Sequence, residues 1–256
     1  MNSGKVNLSP EEFYQEVSTN YDLMTRFQQR QESEKIVMQS WLTRYPFVSA
    51  LDAACGTGLH AILLSQLGVQ VTGADISAEM LKEARINSQA AGVKIKWIKT
   101  PMEKLSHHFQ QTFGAVLCLG NSIPHLLSSA RLHSALRSFY QLLDPGGWVI
   151  LQLLNYRKVL SEKQRIVGTH RNGNLEFIRF YDFTGKKINF NILTIEWKGN
   201  QGLPCLQSTL LYPYTRTEIQ TALRKSGLQI AATYGDMQFS KFQERHSANL
   251  VIVAQK

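Results

Sequence analysis

Leu51-Asp52-Ala53-Ala54-Cys55-Gly56-Thr57-Gly58 is the stretch that decides the fold. It closes a short apolar segment, residues 47–51, and opens an amphipathic one, residues 59–67. That order spells strand, tight turn, helix. Its glycines stand where backbone must approach a ligand and helix-terminal N–H groups must face it. A second apolar strand, residues 70–74, ends in another acid, Asp75. Backbone at one end and a carboxylate for ribose hydroxyls at the other describe a nucleoside cofactor.

Working outward, residues 9–44 read as helical. Ser9-Pro10-Glu11-Glu12 is a helix start, and a second helical pattern from Glu34 through Trp41-Leu42 stops at Pro46. Apolar strands are predicted at 48–53, 70–74, 94–98, 115–119 and 148–154, with helices at 59–67, 78–91 and 130–143. This alternation predicts an α/β fold: a doubly wound, Rossmann-like seven-stranded sheet with its last strand antiparallel. After Asn155 the rhythm changes. Residues 175–183, 187–198 and 205–214 are rich in β-branched and aromatic residues and separated by Gly-containing turns, the pattern of an inserted antiparallel β-meander. Thr215 begins a helix stopped by Gly227, and strands at 228–234 and 248–254 return to the sheet. The predicted organisation is an N-terminal helical lid (1–45), a cofactor-binding α/β domain (46–155 and 215–256) and an inserted substrate-side subdomain (156–214).

Bulk composition narrows the class. At 256 residues and 43% hydrophobic, the chain has material for a full core. No apolar run approaches the roughly 20 residues of a membrane span, and residues 1–12 lack the apolar centre of a signal peptide. Cys55, Cys118 and Cys205 show no metal-ligand spacing, so no metal is expected and a reduced, cytoplasmic setting is. The net charge of +9 could draw anionic partners, but the Lys and Arg residues are scattered, with no basic stripe or base-stacking motif. The expected partner is a small-molecule acceptor rather than nucleic acid or membrane, with a homo-oligomer left open.

Two cofactor classes compete. Gly56-x-Gly58-x-x-Ala61 fits the dinucleotide fingerprint of NAD(P)-dependent oxidoreductases, with Asp75 near its ribose position. Against that, Asp52-x-Ala54-x-Gly56-x-Gly58 resembles motif I of the class I methyltransferases, which use S-adenosyl-L-methionine (SAM). Asp144-Pro145-Gly146-Gly147 resembles the turn of the same superfamily that leads into a strand. A closer resemblance lies in Leu117-Cys118-Leu119-Gly120-Asn121-Ser122-Ile123-Pro124-His125-Leu126. Together with 51–58 and Asn155-Tyr156, it is similar to the glycine/sarcosine N-methyltransferase branch over roughly residues 20–160.

The resemblance implies a SAM site. In it Ala54, Gly56 and Gly58 wrap the methionine end, and Asp75 accepts both ribose hydroxyls. Leu119, Gly120 and Asn121 line the sulfonium, and Tyr21 and Arg30 close over the cofactor. Substrate contacts fall to Tyr21, Asn121, His125, Asn155 and Tyr156, with Asn121 and His125 the catalytic candidates. Two positions depart from the family. Thr100-Pro101-Met102 replaces the polar pair that cradles adenine; Met102 is expected at the cofactor, and the adenine amino group must find another partner. Leu154 replaces the arginine that holds a glycine carboxylate.

Plainer roles stand beside these. Asp52 reads as a strand-end structural acid and Cys55 as a small turn residue. Asn121 could cap a helix, and His125 could be a packed core histidine. The aromatics at 177, 180, 181, 183, 190, 197, 212 and 214 belong mostly to a core, with one or two facing the site. A neutral amine needs no base at the moment of methyl transfer, whereas a phenol does. No Asp or Glu stands where that base would be. The reading is therefore a SAM-dependent methyltransferase acting on an amine nitrogen; the alternatives are a small-molecule O-methyltransferase, an RNA methyltransferase or an oxidoreductase.

Overall fold

The computed structural model describes residues 5–256, with side chains from residue 7; residues 1–4 of the expected lid lie outside the described residues. A short strand, β1 (Lys5–Leu8), leads into α1 (Pro10–Thr25) and α2 (Phe27–Arg44). Helix α1 starts where expected. The Ser9 hydroxyl accepts from the Glu12 N–H at 3.3 Å, and the Glu12 carboxylate accepts from the Ser9 N–H at 3.0 Å. The two helices part at Arg26, which adopts a left-handed conformation at φ +58°, so the second begins earlier than its sequence pattern suggests.

The α/β body follows: β2 (Ser49–Ala53), α3 (Leu59–Gln66), β3 (Gln70–Asp75), α4 (Ala78–Ala90), β4 (Lys96–Lys99), β5 (Phe113–Cys118), α5 (Ser129–Leu142) and β6 (Leu143–Leu154). The expected turn at Asp144-Pro145-Gly146-Gly147 is absorbed into the start of β6. It shows as a break in register, from Phe113 opposite Leu143 to Ala115 opposite Trp148. Next come α6 (Tyr156–Glu162) and four strands, β7 (Ile166–Asn172), β8 (Leu175–Thr184), β9 (Lys187–Lys198) and β10 (Gln201–Leu211). The chain closes with α7 (Arg216–Lys225), β11 (Gln229–Tyr234) and β12 (Asn249–Gln255).

The seven-stranded sheet runs β11-β12-β6-β5-β2-β3-β4, with β12 antiparallel to both of its neighbours. From β2 the chain moves outward through β3 and β4, then returns to the other side of β2 as β5. That reversal opens a crevice at the carboxyl end of β2, where such sheets bind ligands. One face of the sheet packs against α5 and α7, and the other against α2 and α3. On β3, Gly73 lies opposite Trp97 of β4; a Cβ there would stand 2.2 Å from the indole, which occupies that space. No helix among the described residues is long and apolar enough to cross a membrane.

The meander forms a second sheet, ordered β1-β10-β9-β8-β7. Its three hairpins have two-residue loops led by Gly173, Gly185 and Gly199 at φ +58°, +59° and +60°, the geometry of a primed turn whose first central residue is glycine. Two of its strands carry little sequence signal. β7 is a polar edge strand interrupted by Gly168, and β1 is four residues long, pairing in parallel with β10.

The N-terminal helices are more than a lid. Helix α1 lies between α4 and the meander, with Phe13, Val17 and Met24 buried against Met80, Phe177 and Ile192. Helix α2 buries Met38 and Trp41 in the main core, and the Trp41 indole N–H donates to the Met237 carbonyl at 2.8 Å. Each such apolar side chain stabilises the folded state by roughly 1.5–3 kcal/mol, so the expectation that these helices stand outside the core is corrected.

Candidate active site

The turn after β2 is stitched to the end of β3. The N–H groups of Ala54 and Cys55 both donate to the Ala74 carbonyl, at 2.8 and 2.9 Å. Ala54, Gly56 and Gly58 take positive φ angles of +69°, +55° and +90°. At Gly58 the demand is also spatial, since a Cβ would stand 2.7 Å from Trp97. The Asp75 carboxylate is buried beside this turn. It accepts from the Gly56 N–H through one oxygen and the Ser77 N–H through the other, both at 2.9 Å. Burial pushes its pKa above the ordinary carboxylate value, while those N–H groups pull the other way. The open space here, about 1010 Å³ including its mouth, is bounded by Ala54, Gly56, Asp75, residues 100–103, Leu119 and Gly120. Tyr14, Tyr21 and Arg30 from α1 and α2 roof it.

A second chamber of about 1480 Å³, its mouth included, adjoins it. Their common wall consists of Tyr14, Tyr21, Thr25, Arg30, His60, Leu119, Gly120 and His125, and holds no carboxylate. Across it, the Tyr14 hydroxyl and His125 Nε2 are hydrogen-bonded at 2.9 Å, and His125 Nδ1 is buried without a partner. Burial, reinforced by Arg131, lowers the His125 pKa to about 4, so the imidazole is neutral at neutral pH. The turn after β5 carries left-handed Gly120 and Asn121, at φ +70° and +68°. Gln152 holds it, its side-chain oxygen accepting from the Gly120 N–H at 2.7 Å and its carbonyl from the Asn121 N–H at 3.2 Å. The Asn121 amide donates to the Tyr156 hydroxyl at 2.9 Å and accepts from the Leu154 N–H at 3.0 Å. Near the mouth, Arg30 pairs with Glu34 at 3.0 Å. His60 at 3.7 Å and that arginine hold the Glu34 pKa down to about 2 against the opposing effect of burial.

A Gly-rich turn beside a buried strand-end acid, at the reversal point of a seven-stranded sheet, is shared by many nucleoside-binding proteins. Comparison with known proteins separates them, because residues 50–147 match the model of a methyltransferase domain. The chain is a class I SAM-dependent methyltransferase. It is 27% identical over 237 residues to a glycine/sarcosine N-methyltransferase of Aphanothece halophytica, covering 88% of this chain and 82% of that one. A ubiquinone biosynthesis O-methyltransferase of Bordetella avium is 32% identical, but over 105 residues that cover 41% of this chain and 42% of that one. In fold, a SAM-dependent methyltransferase from Clostridium acetobutylicum superposes with a TM-score of 0.80 at 18% identity, covering 94% of this chain and 98% of that one.

In this methyltransferase the residues expected at the cofactor are mostly brought together. Tyr21, Arg30, Ala54, Gly56, Asp75, Met102, Leu119 and Gly120 line the first chamber. Gly58 stands behind the turn, where it admits Trp97 rather than lining the cavity. Asn121 lines only the second chamber, and His125 lines both. Asn155 and Tyr156 line neither, which corrects their expected contact with substrate. The chain turns into α6 directly after Leu154. The Asn155 amide therefore donates to the Glu244 and Ser247 carbonyls, both at 2.9 Å, and Tyr156 is buried behind Asn121 as its brace. Leu154 itself faces the second chamber. Of the eight meander aromatics, Tyr181 and Phe190 reach that chamber.

Several wall residues were missed. Tyr14 lies seven positions before Tyr21 on a capped helix, a spacing that puts both on one face and could have revealed it. Gln152, Glu103 and Arg131 carry no local signal, because they meet the site only through tertiary packing.

Proposed function

We propose that this methyltransferase transfers the methyl group of SAM to the amine nitrogen of a small molecule held in the second chamber. The extent of the resemblances carries this reading. The relative named for an N-methyltransferase aligns along 88% of the chain, acceptor-side strands included, whereas the O-methyltransferase match spans 41%. The common wall agrees with it: it holds no carboxylate, and its candidate base for a phenol, His125, has its pKa lowered to about 4 and is already hydrogen-bonded to Tyr14, which makes it a weak base.

The first chamber suits a nucleoside with a charged amino-acid tail. Asp75, an acceptor-only group in its ionised form, has lone pairs beyond the two its backbone donors use, which suits a ribose diol. Ala54 and Gly56 would wrap the methionine end, with the first turn of α3 turning its N–H groups toward the carboxylate. Arg30, now held by Glu34, would share its remaining donors with that carboxylate. Thr100 and Met102 would flank adenine. Pro101 has no N–H, and the half-free carboxylate of Glu103 offers the exocyclic amine an acceptor in its place.

SAM supplies a methyl already activated by its sulfonium. The protein's work is therefore alignment and exclusion of water. Leu119 and Gly120, fixed by Gln152, set the passage between the chambers, and Tyr14 and Tyr21 cover it. The acceptor enters as the neutral amine and leaves as the methylated ammonium, so no side chain takes a proton at the moment of transfer. The meander (156–214) would form the acceptor wall, and residues 5–45 the cover. A screen of S-adenosylhomocysteine release across small amines, amino acids and phenols, with product analysis, tests this. Methyl on nitrogen is expected. Turnover of phenols alone would overturn the amine assignment.

A further inference from the structure

Two arginines face the second chamber. Arg30 is paired with Glu34. The Arg179 side chain, on β8, has no carboxylate within salt-bridge distance and no hydrogen bond to another residue among the described residues. It is half-buried and stands two positions from Tyr181, on the same face of its strand. Gly168 lies opposite it on β7; a Cβ there would come within 3.0 Å of the guanidinium, so bare backbone makes room for that group. Its surroundings add positive potential. The Arg26 guanidinium lies 3.2 Å from His170 Nδ1, and burial followed by the fields of Arg26 and Arg179 lowers the His170 pKa.

The carboxylates of this chamber are occupied elsewhere. Glu34 serves Arg30 and His60, and Asp236 accepts from the N–H groups of Gln238 and Ser240 at 2.9 and 3.0 Å. An unpaired cation beside an apolar wall is unfavourable unless an anion arrives to meet it. Arg179 borders the second chamber and is not part of the wall shared with the cofactor side. We propose that Arg179 is a specificity residue that binds an anionic group, carboxylate or phosphate, at the outer end of the acceptor, whose apolar body lies along Leu154, Tyr181, Phe190 and Ile192.

This rests on assigning the second chamber to the acceptor, and its test avoids methyl transfer altogether. Protein saturated with S-adenosylhomocysteine is titrated calorimetrically with 3-phenylpropionate, 3-phenylpropanamide and 2-phenylethylphosphonate, and with hexanoate and hexanamide. At least one anion is expected to bind tenfold or more tighter than its matched amide. Arg179→Met should abolish that preference and Arg179→Lys retain part of it, with S-adenosylhomocysteine affinity unchanged in both. The ranking of 3-phenylpropionate against the phosphonate separates the carboxylate from the phosphate source. Equal affinities for anion and amide in the unmodified protein, absence of binding by all five probes, or a preference that survives in Arg179→Met each overturn the proposal. If the preference holds and no amine is methylated, the amine assignment falls while the anion site stands.

Discussion

The two chambers share a wall but are built by opposite means. The first is organised around backbone. Its turn takes three left-handed residues, and its carboxylate, at the end of the adjacent strand, is held by main-chain N–H groups. The second is a side-chain construction, assembled from α1, β6, β8, β9 and the loop around Met237. A chamber made of backbone can hold one cofactor through much sequence change. A chamber made of side chains from scattered elements changes its ligand with single substitutions.

The largest expected effect falls on the second chamber. Glycine has no apolar body to span the chamber from Arg179 to the shared wall, so its carboxylate either forgoes that guanidinium and meets Leu154 or holds the amine away from the methyl; its kcat/KM should lie at least about three decades below that of the best apolar amine. Comparable steady-state efficiencies for glycine and an arylalkyl amine would erase the distinction between the chambers.

On the backbone-built side, Asp75→Ala should weaken SAM binding by about two orders of magnitude or more. Two charge-assisted hydrogen bonds are each worth roughly 1.5–3 kcal/mol. Calorimetry reads this directly, and wild-type affinity would remove Asp75 from the cofactor site. Some loss of Tm should accompany it, because the Gly56 and Ser77 N–H groups lose their acceptor.

Gly73→Ala asks whether the strand beneath that chamber tolerates a methyl. The new Cβ meets Trp97 at 2.2 Å, and overpacking of this kind costs about 1–3 kcal/mol. Trp97→Leu should recover part of the loss in the double variant. Denaturant unfolding with no coupling between the two sites would mean that the indole is not held by Gly73.

The smallest effect belongs to the shared wall. The His125 pKa lies near 4, below the ordinary 6.5. Between these values the unfolded chain binds the proton that the native state refuses. Its contribution to stability is therefore whole above about pH 6.5 and lost as pH falls toward 4. His125→Asn should flatten that acid limb of Tm. The wild-type imidazole should show neutral-ring NMR shifts at pH 6; a midpoint near 6.5 would contradict its burial.

Legibility followed the same division. The strand-turn-helix at 51–58 and Asp75 were readable because backbone geometry writes itself into local residue types, glycine and small residues above all. Leu154 was readable as a departure from a family pattern. Gln152 and Glu103 were not, since nothing within a few residues of each marks where its side chain will meet the cavity. Asn155 and Tyr156 misled for a related reason: a matched motif fixes position along a chain, and the turn into α6 decides which way the side chains face. Strand β1 escaped because its partner β10 is some two hundred residues away, and four residues carry no period of their own.

That strand has a mechanical consequence. β1 is laced to β10, the Thr209 hydroxyl donating to the Leu8 carbonyl at 2.9 Å, while α2 is fastened to the body through Trp41 and Met237. The cover over both chambers is thus a strap fastened at each end, with α1 between the fastenings and seated on α4 and the meander. A strap bows where a flap swings. Release of spent cofactor would then call for give at the joint between the two helices, Arg26, or at the β1–β10 seam, and loosening either should speed that release and admit water by the same gap.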